Sequence, residues 1–225
     1  MLYTTSACAR FGHPEIQVNA SSSAVLPGDI AWFLQFLEAR VAAGTQFRVG
    51  QTLQVGWMIT RIEDGSDGLL RVTEPDMQVI PVRFVESIDS TLTHLRNQKD
   101  IVESLRPPQE IAFPSLQQSA VVHKSYKTAR RLLLTRYEPR DADSGWMITD
   151  LEDTSDADSP ENYVRISLYQ LGIDRPDLIR FFAIPAGLQV AIDGFIGVLG
   201  PDGELQQAPG SYLAELNRLA EQHSG

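Results

Sequence analysis

One short stretch of this chain occurs twice, and that constrains its architecture more than any other feature. Gly56-Trp57-Met58-Ile59-Thr60-Arg61-Ile62-Glu63-Asp64-Gly65-Ser66-Asp67 aligns with Gly145-Trp146-Met147-Ile148-Thr149-Asp150-Leu151-Glu152-Asp153-Thr154-Ser155-Asp156, identical at nine of twelve positions. The shared residues include tryptophan and methionine, of which the chain holds only three and four copies. Self-similarity of this kind points to repeated structural units rather than one undivided core. Paired prolines at Pro107-Pro108 break any helix and mark the joint. The fold expected is α+β: two related small α+β units, each a mainly antiparallel sheet with one or two packed helices, spanning 1–107 and 114–225.

The periodicity fills in the elements. Ile30, Phe33, Leu34, Leu37 and Val41 recur at helical spacing after Pro27-Gly28-Asp29, which predicts a helix over about 28–43. Residues 47–60 read as two strands with a turn near Gly50-Gln51, and 79–85 as a third. Leu92, Leu95, Ile101, Val102 and Leu105 predict a second helix ending before Pro107. In the second half, strands are expected over 119–122, 131–136, 146–151 and, as a pair, 190–199. A short helix is expected over 174–182 and a terminal one over 212–219. Within each repeat, Trp57/Trp146 and Ile59/Ile148 should share one face by alternation, with the methionines and Ile62/Leu151 on the other. The tryptophans are then buried anchors of equivalent central strands.

Charge sorts the possible functions. The chain carries 19 Lys+Arg against 29 Asp+Glu, a net charge of -10, which disfavours a direct nucleic-acid binder that must displace counterions from phosphates. A single cysteine, Cys8, excludes an internal disulfide and a thiolate metal cage. The longest apolar stretch, 188–199, is too short to span a bilayer, and residues 1–10 lack a signal-peptide pattern, so a cytoplasmic location is expected. The acids are concentrated: Asp141, Asp143, Asp150, Glu152, Asp153, Asp156, Asp158 and Glu161 fall in one segment without Lys or Arg. Six cations (Lys124, Lys127, Arg130, Arg131, Arg136 and Arg140) immediately precede it. Such a segment is either a solvated loop or a partner-binding surface that steers a cationic protein. A calcium loop starting at Asp141 fails at its sixth position, where Trp146 replaces the required glycine.

Catalytic signatures are missing. His13, His94, His123 and His223 show no metal-ligand spacing, and neither a nucleophile elbow nor a phosphate loop is present. Gly194, Gly197 and Gly200 fail the dinucleotide fingerprint. The reading is a non-enzyme with no cofactor and no metal, although a hydrolase built from spatially convergent carboxylates is not excluded by spacing.

Asp143-Ser144-Gly145-Trp146, the acid-rich stretch that follows, Ser167-Leu168 and Ile184-Pro185-Ala186-Gly187 together resemble the second-domain pattern of bacterial immunity proteins of polymorphic-toxin and type VI secretion effector systems. The resemblance covers roughly 117–205. The first unit, with Gln98-Lys99-Asp100-Ile101-Val102 and Phe113-Pro114-Ser115-Leu116, is similar to the leading half of two-unit members, but has Gln54-Val55 where Asp143-Ser144 stand. The resemblance implies a non-catalytic protein that binds a cognate toxin. Charge complementarity favours a nuclease with a basic cleft, with the eight acids as the partner-binding residues. The alternative from another class is a structural or ligand-binding regulatory module without a toxin.

Overall fold

The computed structural model describes residues 1–21, 23, 25–153 and 159–223, and the chain divides into two compact units, Met1–Arg96 and Asn97–Gly225. The division falls inside a helix rather than at Pro107-Pro108. Both units mix sheets and helices, so the class is α+β.

The first unit holds β1 (Leu2–Thr4), β2 (Ile16–Asn19), α1 (Pro27–Ala42), β3 (Thr52–Val55), β4 (Met58–Asp64), β5 (Leu70–Pro75), β6 (Phe84–Val85) and the start of α2 (Asp89–Glu103). The sheet order is β1-β2-β5-β4-β3, with β6 added on β5, and β2–β5 is its one parallel pair. Helix α1 starts with proline in its first turn and buries Ile30, Phe33, Leu37 and Val41, the stripe the spacing predicted. Those side chains join Ile16, Val18, Ile62 and Val72 in one core. Helix α2 is capped from the sheet: Glu74 accepts the Thr91 N–H and hydroxyl, both at 2.7 Å, and the Ser90 N–H at 3.1 Å. These are orphan donors of a first helical turn, satisfied by a buried carboxylate. Burial pushes that carboxyl up despite the hydrogen bonds that oppose it.

The second unit holds β7 (Leu105–Arg106), β8 (Ser119–His123), β9 (Leu132–Arg136), β10 (Asp143–Asp150), β11 (Tyr163–Ser167), α3 (Leu168–Asp174), β12 (Gln189–Ile192), β13 (Ile196–Gly200), β14 (Gly203–Glu204), β15 (Gln206–Gln207) and α4 (Tyr212–His223). Seven strands run in the order β11-β8-β10-β9-β12-β13-β14, and β15 pairs with β7. Only β8–β10 is parallel among these pairs. The inner face carries Val122, Leu134, Trp146, Ile148 and Val190, all buried. The Trp146 indole N–H donates to the Phe182 carbonyl at 3.2 Å, anchoring the sheet to the 3-10 turn Pro176–Phe181.

Four local expectations are corrected. The hairpin turn lies at Gly56-Trp57, not at Gly50-Gln51, because Gly56 takes φ +60° and reverses the chain there. The third strand is β5, and of 79–85 only Phe84–Val85 is a strand, β6. The buried Thr73 and Glu74 of β5 disguise it, since both are polar and both are satisfied inside the unit. The helix expected over 174–182 is instead the 3-10 turn Pro176–Phe181, which follows the separate helix α3. Arg175 precedes Pro176 and sits at φ -138°, outside the helical region. Finally, the repeated blocks do not occupy equivalent strands. Trp57 is in a turn ahead of β4, which has two antiparallel neighbours. Trp146 is inside β10, between parallel β8 and antiparallel β9. The buried face shifts with it: Met58, Thr60 and Ile62 are buried in β4, whereas Trp146, Ile148 and Asp150 are buried in β10.

Candidate functional site

The acidic segment is built around β10. Asp143 begins this strand and Asp150 ends it, seven steps of about 3.3 Å apart, so these two acids stand roughly 23 Å from each other. They do not share one patch.

At the head of the strand, Asp143 pairs with Arg165 at 2.6 Å and accepts the Gly145 N–H at 2.8 Å. Partial burial works against ionisation of Asp143, but the guanidinium and the N–H outweigh it and hold the carboxyl below its usual range. Asp141 is exposed at φ +48°, and its carbonyl accepts from Gln118 at 3.1 Å. Gly145 is required here: it stands at φ +80°, and a Cβ on it would collide with the Tyr137 carbonyl. Beside it opens a cleft of about 520 Å³, walled by Tyr137, Glu138, Arg140, Asp143, Trp146 and Met147.

At the tail, Asp150 is buried. It accepts the Ser125 hydroxyl and, through its other oxygen, the Glu152 N–H at 2.9 Å. His123 bridges the same cluster, with Nδ1 2.6 Å from Ser125 Oγ and Nε2 3.2 Å from Asp153. A serine, a histidine and two carboxylates thus converge, as no sequence motif had indicated. The single Ser125 proton is donated to Asp150 rather than held for removal by a base, so the cluster acts as a bracket fixing the end of β10. Of the other acids, Glu152, Asp153 and Glu161 are exposed, while Asp156 and Asp158 lie outside the described residues.

The preceding cations are partly spent on structure. Arg131 grips Asp193 through two hydrogen bonds, and Lys127 joins the Tyr126 hydroxyl and Gln170 on Asp174. Partial burial of Asp174 works the other way, yet these donors hold its carboxyl below the ordinary range. Arg175 donates to the Tyr126 and Ala129 carbonyls, pinning the 124–130 loop. Arg136 differs: it is only 3% exposed, and its guanidinium lies 5.2 Å from the Trp146 ring centre. Sequence reasoning ranked it with the surface cations. Its position at the inward parity of β9, in step with Leu132 and Leu134, was the available signal. Among the described residues, no three His, Cys, Asp or Glu side chains are grouped to hold a metal, and no helix is long and apolar enough to cross a membrane.

One stretch of this second unit is similar to a known protein family. Specifically, residues 97–198 match the family model of the Imm33-like domain, which supports an immunity protein. No curated protein and no solved structure matches the chain.

Proposed function

We propose that this protein binds and neutralises a cognate secreted bacterial toxin by direct protein–protein contact, in the cytoplasm of the producing cell and without catalysis of its own. The Imm33-like match over 97–198 carries the reading. The setting is a polymorphic-toxin or type VI secretion system, and the preferred toxin class is a nuclease with a basic cleft, by charge complementarity. The contact acids are those facing solvent: Asp141, Glu152, Asp153 and Glu161, with Asp156 and Asp158 in the same segment. Asp150 is removed from that set because it is buried and hydrogen-bonded, and Asp143 serves Arg165 first.

The test is co-expression with the toxin encoded in the adjacent reading frame. Growth should be rescued, while an unrelated toxin stays lethal; failed rescue despite good expression refutes the reading. Reversing Asp153, Asp156 and Asp158 to lysine should slow association by about ten-fold and flatten its salt dependence, since exposed charges act on encounter. An unchanged rate and salt slope would remove the segment from the interface.

A further inference from the structure

The two large sheets turn chemically opposite faces outward. In the first, the positions facing away from the core are Gln17, Thr52, Gln54, Arg61, Glu63 and Arg71, with Ile59 among them, the polar-out alternation of a sheet wetted on one side. In the second, the outward row across β8, β10, β9, β12 and β13 is Val121, Met147, Thr135, Gln189 and Leu199. The next row, from β10 to β13, is Thr149, Leu133, Ala191 and Gly197. Neither row holds an Asp, Glu, Lys or Arg. Apart from Gly197, which lies under the Glu204 carboxylate, each of these residues is only half-buried, while the inward Val122, Leu134, Ile148 and Val190 are wholly buried.

Folding gains little from Val121, Leu133, Met147 and Leu199 on a wet face, and contiguous apolar surface of this kind marks a contact site. An uncharged centre that includes methionine is the composition of the middle of a protein interface. The face runs on to Tyr137, 57% exposed, and Leu151, 40% exposed. The cleft beside Gly145 opens on it, since Val121, Tyr137 and Met147 are among its walls, and provides a recess for one anchoring side chain. Charge is confined to the rim. There Glu138, Glu152, Asp153 and Glu204 outnumber Lys124 and Arg140, while Arg165 and Arg131 are already held by Asp143 and Asp193. Seven strands about 4.8 Å apart and five residues deep give roughly 470 Å² of plane, short of the about 800 Å² that one side of a stable interface buries. The acidic rim must therefore take part.

We propose that the outward face of the second sheet is the surface that seats the toxin, which meets it with apolar side chains ringed by Lys and Arg and sets one anchor in the cleft. The occupant rests on the immunity reading. A second copy of this chain is a worse fit, because a two-fold contact would set these acids against their own copies, at a net charge of -10 on each.

Two measurements on the full chain test it. Met147→Glu and Leu133→Glu should each weaken binding to the adjacent-frame toxin by roughly 30-fold or more, because the new charge loses its hydration at the centre of the contact. Ile59→Glu, the same change on the outward face of the first sheet, should leave binding unchanged. Hydroxyl-radical footprinting of the wild-type complex needs no variant: Leu133, Tyr137 and Met147 should be protected, while the exposed Trp32 on α1 stays reactive. Folded variants that bind like the wild type, equal weakening by Ile59→Glu, or unprotected side chains in the complex overturn the proposal and leave the immunity reading standing. Wild-type protein that does not bind the toxin at all fells both. Self-association in sedimentation that Met147→Glu dissolves assigns the face to a second copy and also overturns the proposal.

Discussion

Two copies of Gly-Trp-Met-Ile-Thr sit in two sheets and do different work. In the first unit the glycine turns a hairpin, the buried indole packs on His94 of α2, and Met58 heads the buried face of β4. In the second the glycine lies within β10, the indole joins the buried face, and Met147 is only half-buried on the other side. A one-residue change in where the strand begins moves every side chain to the opposite face. Sequence identity therefore preserved composition without preserving role. The surroundings of each block decided which residues it buries.

The sharpest way to break this comparison is to truncate equivalent residues. Met58→Ala and Ile148→Ala should each cost about 2–5 kcal/mol, as cavities in fully buried sites. Their counterparts Met147→Ala and Ile59→Ala, both half-buried, should cost under about 1 kcal/mol. Urea denaturation of the four variants measures this, and equal losses within either pair would restore a common register. The glycines come next. Gly56→Ala forces alanine into φ +60° at about 1 kcal/mol, whereas Gly145→Ala adds a collision with the Tyr137 backbone and should cost about 3 kcal/mol. Matching losses would mean that β9 and β10 part freely at that point.

The smallest effect separates the two indoles by pH. Trp57 donates to His94 Nδ1 at 3.4 Å, while Trp146 uses a backbone carbonyl that does not titrate. Burial lowers the His94 pKa from 6.5 to about 4, so the folded state holds a neutral ring that the unfolded chain protonates first. Stability from this group is fully present above pH 6.5 and is lost as pH falls towards 4. Between pH 7 and 5.5 the wild type should lose about 1 kcal/mol more than His94→Gln. Parallel profiles for the two proteins would show that the ring is not held neutral by the fold.

Much of the architecture is legible in the residues themselves. The stripe on α1, the strand pair at 190–199 and the strand at 131–136 follow from periodicity because their apolar residues face a core directly. β5 was hidden because two of its buried residues, one on each face, are the polar Thr73 and Glu74, whose partners lie far away in sequence. The candidate site was half visible. The acids around 141–161 stand out by composition, but nothing local says that Asp150 turns inward to Ser125, or that Asp143 meets Arg165 twenty-two residues later. Arg136 looks like any surface cation until β9 is paired with β10. Long-range partners are what a linear reading lacks.

The helix that crosses the division between units bears on how this protein can be cut. The region similar to the Imm33-like domain starts at Asn97, midway along α2, and stops at Val198, inside β13. A fragment with those ends would begin with half a helix and finish on a broken strand. It would also discard α4, whose Asn217 accepts the Ile196 N–H at 2.7 Å and donates to the Ile196 carbonyl at 3.0 Å, and whose Leu213 N–H reaches Ser104 at 3.2 Å. The stretch that defines kinship is thus shorter than the stretch that closes a core. Expression of the second unit should begin before Asp89 and run through His223, so that α2 and α4 enter the fold intact.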